Sequence, residues 1–440
     1  MNFQETEVYL YSLGNEVETM KLGLENITAL LNALAQPHTK YKKVQIAGTN
    51  GKGSVCAFLN SICLEAGIRT GLYTSPHLIS ITERIKIDGN DISGEEFARL
   101  ATTVRETAER LTNSGELGYL PTFFEQVTAI ALLAFADNQV ELAILETGLG
   151  GRFDATTAAN AEIAAITRID LDHQEYLGET IEEIAAEKAA IIRPDSKVVL
   201  MHQDKQVERV LTGRCREVGV EPVWASGEIR IKEEPRLLPA LSGSIYTTTD
   251  SYPFLELWNM LGRHQFENAS IAIAVAELLQ DAGYGITKEQ IIYGLESASH
   301  PGRLEYLQGV LLDGAHNAGG ALALRQFLDE AERRPITLVF GGMRDKNVRE
   351  IAEIIWPRAE KIVFTQPSNS RAMRADELAA FAPSTVDSTN IVRTQTVSEA
   401  IKKAKKIASP DSLIVVTGSL YLVGEARRIL LAGQDESDAI

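Results

Sequence analysis

Residues 47–54 read Ala-Gly-Thr-Asn-Gly-Lys-Gly-Ser, a run whose chemistry suits phosphate. They follow the apolar run Val44-Gln45-Ile46 and precede Val55 to Ala66, a stretch of helical composition with no breaker before Gly67. Strand, glycine-rich turn and helix in that order aim backbone N–H groups and a helix N-terminus at an anion. Gly48, Gly51 and Gly53 let the backbone come close, and Lys52 brings a mobile positive charge. The Ser54 hydroxyl sits two places after the lysine, and the glycine spacing is shorter than in a standard phosphate loop. A solvated turn is the plainer alternative; Lys52 and Ser54 weigh against it.

Other polar residues fall just past apolar, strand-like runs. Ser75 follows Arg69 to Thr74, Glu146 follows Leu142 to Leu145, and His173 follows Ile163 to Thr167. Asp313 and His316 follow Val310 to Leu312. In open parallel sheets ligands bind outside the carboxyl ends of the strands, so this set suggests one site. Glu146 is placed as an oxygen ligand for Mg²⁺, which keeps waters and takes few protein ligands; a glutamate simply facing solvent is the alternative. His173 stands among Asp170, Asp172 and Glu175, so it belongs either to an exposed acidic loop or to a metal or phosphate contact. Lys188 falls on the apolar stripe Ile181, Ile184, Ala185, Ile191, Ile192 of a helix opened by Thr180 and Glu183. Either its stem snorkels to water, or the lysine is held in the site, neutralised or modified. Asn268 lies in a helix start rich in donors, and Arg303 could reach a nucleotide or could be a surface arginine.

The elements that must position these groups alternate between strand and helix, which predicts α/β architecture with parallel sheets. Strands are expected at 44–46, 69–74, 140–145, 163–167 and 197–201, and helices at 16–35, 55–66, 94–112, 122–136, 180–192, 206–218, 264–280 and 287–297. Residues 220–260 change character and read as a small antiparallel ribbon. His300-Pro301-Gly302-Arg303 punctuates the chain. The expected division is a nucleotide-binding domain over 1–299 and a smaller Rossmann-like α/β domain over 300–440. In the second, strands are expected at 310–312, 336–340, 361–364 and 413–416, with helices at 318–333, 376–381, 397–407 and 419–430.

Of 440 residues 45% are hydrophobic, enough for a sizeable core. The formal charge of −17 disfavours nucleic acid or an anionic membrane as partner. No apolar run has the length of a membrane span, and the start MNFQETEVYL lacks the basic residues of a signal peptide. Three cysteines without a CxxC pair argue against a disulfide framework, so the cytoplasm is the expected compartment. The chain is expected to act as a monomer on small molecules.

Taken together the motifs resemble folylpolyglutamate synthase/dihydrofolate synthase, of the Mur-type ATP-dependent amide ligases. The resemblance rests on GTNGKGS, LYTSPHL (72–78), FFEQVTAIALLAF (123–135), ETGLGGRFDAT (146–156), DHQEYLG (172–178), EKAAI (187–191), HPGRLE (300–305), LDGAHN (312–317) and VTGSLYLVGE (416–425), in that order. It runs from about Lys21 to Glu425. It implies ATP on Gly48, Thr49, Asn50, Gly51, Lys52, Gly53 and Ser54, with Asn268, Arg303, Asp313 and His316 as further nucleotide contacts. It implies Mg²⁺ on Ser75, Glu146 and His173, and a carbamylated lysine at Lys188. Lys52, Lys188 and His173 become the expected catalytic residues, and Phe124, Arg84 and Asp154 an expected folate pocket. The implied reaction activates a carboxylate of dihydropteroate or folate as an acyl phosphate, which the amine of L-glutamate attacks, releasing ADP and phosphate. That chemistry belongs to folate and one-carbon metabolism.

Departures from the family pattern are Phe153, Thr157, Ala190, Ala318 and Asn347. None removes a reactive group, although Ala318 in place of proline leaves the start of the following helix less fixed. A cell-wall Mur ligase is a rival, but only 47 residues precede Gly48, too few for a UDP-binding domain. A P-loop switch protein would need neither a second α/β domain nor a lysine on an apolar stripe. A Rossmann dehydrogenase fails because Gly148 and Gly150 lack a third glycine at 153.

Overall fold

Strands that are apolar on both faces need cover on both faces, and the first half of the chain supplies it. Its sheet comprises β1 (Lys42–Ala47), β2 (Thr70–Tyr73), β3 (Ile85–Ile87), β4 (Asn90–Asp91), β5 (Leu142–Glu146), β6 (Ile163–Ile166), β7 (Lys197–Leu200) and β8 (Pro222–Trp224). The spatial order is β4-β3-β2-β5-β1-β6-β7-β8. Pairing is parallel except at the edge, where β3 runs antiparallel to both β2 and β4. The structure is a computed structural model and describes residues 1–14, 23–225, 227–232, 241–382 and 387–437.

One face carries α1 (Phe3–Ser12), α2 (Glu25–Ala33), α4 (Gly94–Asn113) and α5 (Phe123–Asp137) over a core that includes Leu30, Phe97, Ile130 and Leu145. On the other face lies α3 (Lys52–Glu65), with α9 (His264–Asp281) and α10 (Lys288–Ser297) packed against it. The short α6 (Gln174–Leu177) leads into α7 (Ile181–Ala189), which packs with α8 (Lys205–Val218) beside β7. Thr122 with Glu125, Thr180 with Glu183 and Thr287 with Gln290 close capping boxes at the starts of α5, α7 and α10, as their spacing requires.

The ribbon forms as β9 (Glu228–Ile231), β10 (Leu241–Tyr246) and β11 (Ser251–Leu257), a three-stranded antiparallel sheet. It is shorter than expected, because Pro222–Trp224 joins the main sheet in parallel with β7. The second half builds its own six-stranded sheet from β12 (Glu305–Leu307), β13 (Val310–Leu312), β14 (Ile336–Phe340), β15 (Lys361–Phe364), β16 (Ile391–Arg393) and β17 (Leu413–Thr417). Its order is β12-β13-β17-β14-β15-β16. Here α11 (Ala318–Glu330), α12 (Val348–Ile355) and α13 (Ala375–Ala379) cover one face, and α14 (Val397–Ile407) and α15 (Leu420–Ser437) the other.

Several elements escape the sequence expectations, among them two helices and a set of very short strands. Helix α1 carries a capping box between Asn2 and Glu5, a signal that was available in the sequence. In α12 the buried residues Val348, Ile351, Ala352 and Ile355 follow helical spacing, also legible. Strands β12 and β16 have three residues each, too few for a periodicity. Of the helix expected over 16–35, residues 16–22 lie outside the described residues, and the described helix begins at Glu25. No helix among the described residues is long and apolar enough to cross a membrane.

Candidate active site

The central position of β1 between β5 and β6 brings three strand ends to one place. The loop after β1 turns into α3 at Gly51, whose φ of 93° lies in the left-handed region. A Cβ on Gly51 would stand 2.2 Å from Asn268 Oδ1, and one on Gly53 2.7 Å from His300 Nε2. The loop is therefore packed so closely that side chains are excluded from its anion-facing turn. It is tethered to the loop after β6: the Thr49 and Asn50 N–H groups donate to Arg168 O, and Asn50 Nδ2 donates to Asp170 Oδ2 at 2.7 Å. Lys52 Nζ folds over the same loop, donating to Gly48 O at 3.1 Å and Thr49 O at 3.3 Å.

Glu146 ends β5 buried beside this loop, and Ser75 N–H donates to its Oε2 at 3.0 Å. Burial pushes the Glu146 carboxyl up, while the Lys52 charge and the Ser75 N–H pull it down. A buried carboxylate with that little compensation fits a divalent cation, whose charge would favour the ionised form. His173 stands at the start of α6 with φ of 51°. Burial, reinforced by the Lys346 charge, lowers its imidazole to about 4, so at neutral pH it is uncharged and keeps a lone pair. Its Nε2 lies 3.0 Å from Lys346 Nζ, so a metal at that nitrogen requires Lys346 to turn wholly to Asp172. Among the described residues no three His, Cys, Asp or Glu side chains cluster as a metal centre. A cation held here would lean on one carboxylate, a hydroxyl, an imidazole and ligand oxygens, as Mg²⁺ does.

Lys188 does not snorkel. It is 4% exposed, and Nζ donates to Gly48 O at 3.0 Å. Desolvation first, and the Lys52 charge second, lower its ammonium to about 7. Arg303 is not a free surface group either; it lines the cavity from the second half of the chain, together with Asp313 and His316. Leu304 and Ala315 N–H groups hold the Asp313 carboxylate at 3.0 Å each. His316 Nδ1 sits 2.7 Å from Gly314 O, and burial brings its imidazole down to about 3.

Of the sequence-derived site residues, Gly48 to Ser54, Ser75, Phe124, Glu146, Asp154, His173, Lys188, Asn268, Arg303, Asp313 and His316 all line one cavity between the two halves. Arg84 is not among the lining residues. It is buried outside that lining, with Nε donating to His77 Nδ1 at 2.8 Å and the guanidinium over the Phe123 ring. Asp154 reaches the cavity, but its oxygens accept from Leu149 N–H and Thr156 N–H, so much of its capacity caps a turn. The sequence reading passed over Lys346 and Asn317. Lys346 lies in Gly341-Gly342-Met343-Arg344-Asp345-Lys346 after β14, another strand carboxyl end, so its position was a usable signal. Asn317 caps α11 through Gly320 N–H, so the helix start expected to be loose at Ala318 is fixed by its neighbour.

Residues 46–276 match the Mur ligase middle domain, and residues 302–420 the Mur ligase glutamate ligase domain. A dihydrofolate synthase/folylpolyglutamate synthase of Bacillus subtilis is 34% identical over 418 residues, covering 93% of this chain and 95% of that one. A probable bifunctional folylpolyglutamate synthase/dihydropteroate synthase of Halobacterium salinarum is 37% identical over 92% of this chain. The chain spans about half the length of that relative and of its Haloferax volcanii counterpart. The folylpolyglutamate synthase of Mycobacterium tuberculosis, solved with ADP and AMPPCP, superposes with a TM-score of 0.89 at 31% identity, covering 98% of this chain and 99% of that one. A bifunctional folylpolyglutamate synthase/dihydrofolate synthase of Yersinia pestis, solved with AMPPNP and a manganese ion, gives 0.83 at 27% identity, with 98% of each chain covered.

Proposed function

The chain belongs to the Mur ligase family, among the folylpolyglutamate synthase/dihydrofolate synthases, and on that premise we propose that it joins L-glutamate to dihydropteroate, to folate, or to both, at the expense of ATP. The observation that carries this reading is convergence: the phosphate loop, Glu146 and Lys188 from the first half and Arg303, Asp313 and His316 from the second line a single cavity. We take 1–299 as the ATP-binding domain and 300–440 as the Rossmann-like domain that closes on it, a division supported by the two separate sheets.

Gly51, Gly53 and Ser54 hold the triphosphate through backbone N–H groups at the start of α3, with Gly48, Thr49 and Asn50 forming the rest of the loop around it, and Lys52 offsets charge on the transferring phosphoryl group. Ser75, Glu146 and His173 would hold Mg²⁺, which when bound offsets charge on the phosphate oxygens. Asn268, Arg303, Asp313 and His316 bind the rest of the nucleotide, while Phe124 and the Asp154 turn receive the pterin. The acceptor carboxylate attacks the γ-phosphorus, and the bond to ADP breaks. The amine of glutamate then attacks the acyl carbon, phosphate departs, and the amine loses its proton. Closure of the two domains keeps water from the acyl phosphate.

Lys188 is the residue for carbamylation. An amine whose ammonium lies near 7 is available as the free base at neutral pH, and it adds to CO₂ to give a carbamate and a proton. Such a group would sit beside Gly48, where the Lys52 and Lys346 charges act on it. The buried free thiols Cys56, Cys63 and Cys215 suit a cytoplasmic setting, and the charge of −17 supports small molecules over nucleic acid as partners. We take the working form as a monomer.

The test is release of ADP and phosphate by purified protein given ATP, Mg²⁺ and L-glutamate, with dihydropteroate and tetrahydrofolate offered separately. Turnover that requires one of the acceptors is expected. ADP formation indifferent to both would overturn the ligase.

A further inference from the structure

A second cleft of about 600 Å³ lies behind the loop that walls the acceptor end of the cavity. Arg152, Arg193 and Arg214 line it together with His38, Asn160 and Thr157, and among its described lining residues there is no carboxylate. That is unusual in a chain with 60 acidic and 43 basic residues. The three guanidinium groups come from separate elements: the loop after β5, the turn after α7, and α8.

Arg152 Nε lies 2.8 Å from Glu187 Oε1, and Arg214 NH1 lies 2.9 Å from Glu217 Oε2; both carboxylates stand outside the lining. Arg193 differs. It donates to Asn160 Oδ1 and, at 2.7 Å, to Ala161 O, both neutral acceptors. Burial lowers its guanidinium, with the Glu162 charge opposing. A guanidinium has five N–H donors, so each of the three keeps donors beyond these contacts. The same corner holds His38 Nδ1, buried and without a hydrogen-bond partner. Three planar forks with spare donors around one cleft match oxyanions that present several oxygens at once.

We propose that this cleft binds a small multivalent oxyanion, its charge carried by phosphate oxygens or by the clustered carboxylates of a short γ-linked glutamate chain. The cleft shares no lining residue with the active-site cavity, so it is a separate site. The segment 152–158 runs between the two. Arg152 faces the cleft while Phe153 and Asp154, next in sequence, face the cavity. Thr157 lines the cleft, and its Oγ1 donates to Gly151 O at 2.7 Å and accepts from Gln45 Nε2 at 2.8 Å. Thr157 thereby pins the 151–157 turn from the cleft side, and an anion on Arg152 bears directly on that turn, which shapes the acceptor pocket.

The experiment is calorimetric titration of the full chain, first saturated with Mg²⁺ and a non-hydrolysable ATP analogue so that the phosphate loop is occupied. Inorganic phosphate is the probe in one arm and tri-γ-glutamate in the other, at low ionic strength. Binding of either probe is expected, weakened about tenfold or more by Arg193→Gln and by Arg214→Gln. Arg193→Lys keeps the charge and should retain more affinity than Arg193→Gln, which separates loss of the site from loss of fold; thermal unfolding checks each variant. Phosphate alone, or the glutamate chain alone, identifies the source of the charge. Failure of both probes to bind, or binding undiminished in R193Q/R214Q, overturns the proposal. The readout needs no turnover, so it stands apart from the test of the ligase reaction.

Discussion

The Lys346 ammonium lies 2.6 Å from Asp172 Oδ1, with each side chain 10% exposed, and so joins the loop after β14 to the loop after β6. Burial alone would push the Asp172 carboxyl up; the Lys346 charge, helped by His173, overrides it and holds the group well below the usual carboxylate range. Removing one partner of such a pair leaves the other buried and uncompensated, at a cost of about 3 kcal/mol. Lys346→Met and Asp172→Asn should each lower stability on that scale, and the double variant should lose less than their sum. Urea unfolding in a double-mutant cycle measures it. Strictly additive losses would show that the pair is not coupled.

Lys188→Ala should abolish most of the turnover while leaving the protein folded. Short carboxylic acids or bicarbonate supplied in the assay should restore part of the activity if a carbamate stands there. Carbon-13 NMR of the wild-type chain equilibrated with labelled CO₂ should show a carbamate carbon that Lys188→Ala lacks. A variant with full activity would end the proposal for this residue.

Gly51→Ala places a methyl group against Asn268 Oδ1 in a left-handed turn, and Gly283→Ala places one in an equally left-handed turn with nothing within 4 Å. Both share the backbone penalty of about 1–2 kcal/mol. Only Gly51→Ala should also weaken ATP binding, by roughly tenfold or more. Equal nucleotide affinities in the two variants, by titration calorimetry, would sink the claim that close packing shapes the phosphate loop.

Acid should destabilise the fold above the carboxylate range. Burial lowers His264 to about 4, and His300 and His316 to about 3, from an ordinary value of 6.5. Between those limits the unfolded chain binds more protons than the folded one, so stability is complete above about pH 6.5 and falls as the pH drops toward 4. The slope is up to about 1.4 kcal/mol per pH unit for each histidine. A urea midpoint that stays level between pH 7 and pH 5 would contradict this.

Local grammar made much of this molecule legible. Glycine spacing marked the phosphate loop, the Thr180–Glu183 capping box marked α7, and one lysine on an apolar stripe marked Lys188. What stayed hidden depends on contacts between parts remote in sequence. The resemblance assigns Arg84 to a folate pocket, and only the fold shows its guanidinium against His77 and the Phe123 ring. Lys346 carries no local signal beyond its strand end; its meaning comes from Asp172, 174 residues earlier. Pro222–Trp224 shows the same limit, because three residues cannot reveal which of two sheets they will join.

Asn317 divides its amide between two duties. Oδ1 caps α11 by accepting Gly320 N–H, while Nδ2 donates across the seam to Asn50 Oδ1 at 3.1 Å and Asp172 Oδ2 at 3.0 Å. If the halves part, the cap survives and water takes over the seam contacts, since solvent offers acceptors of equal quality. Unlatching therefore leaves no secondary structure to rebuild. Spent nucleotide can leave by a movement that is cheap to reverse, and the pace of successive cycles can follow that movement instead of bond making.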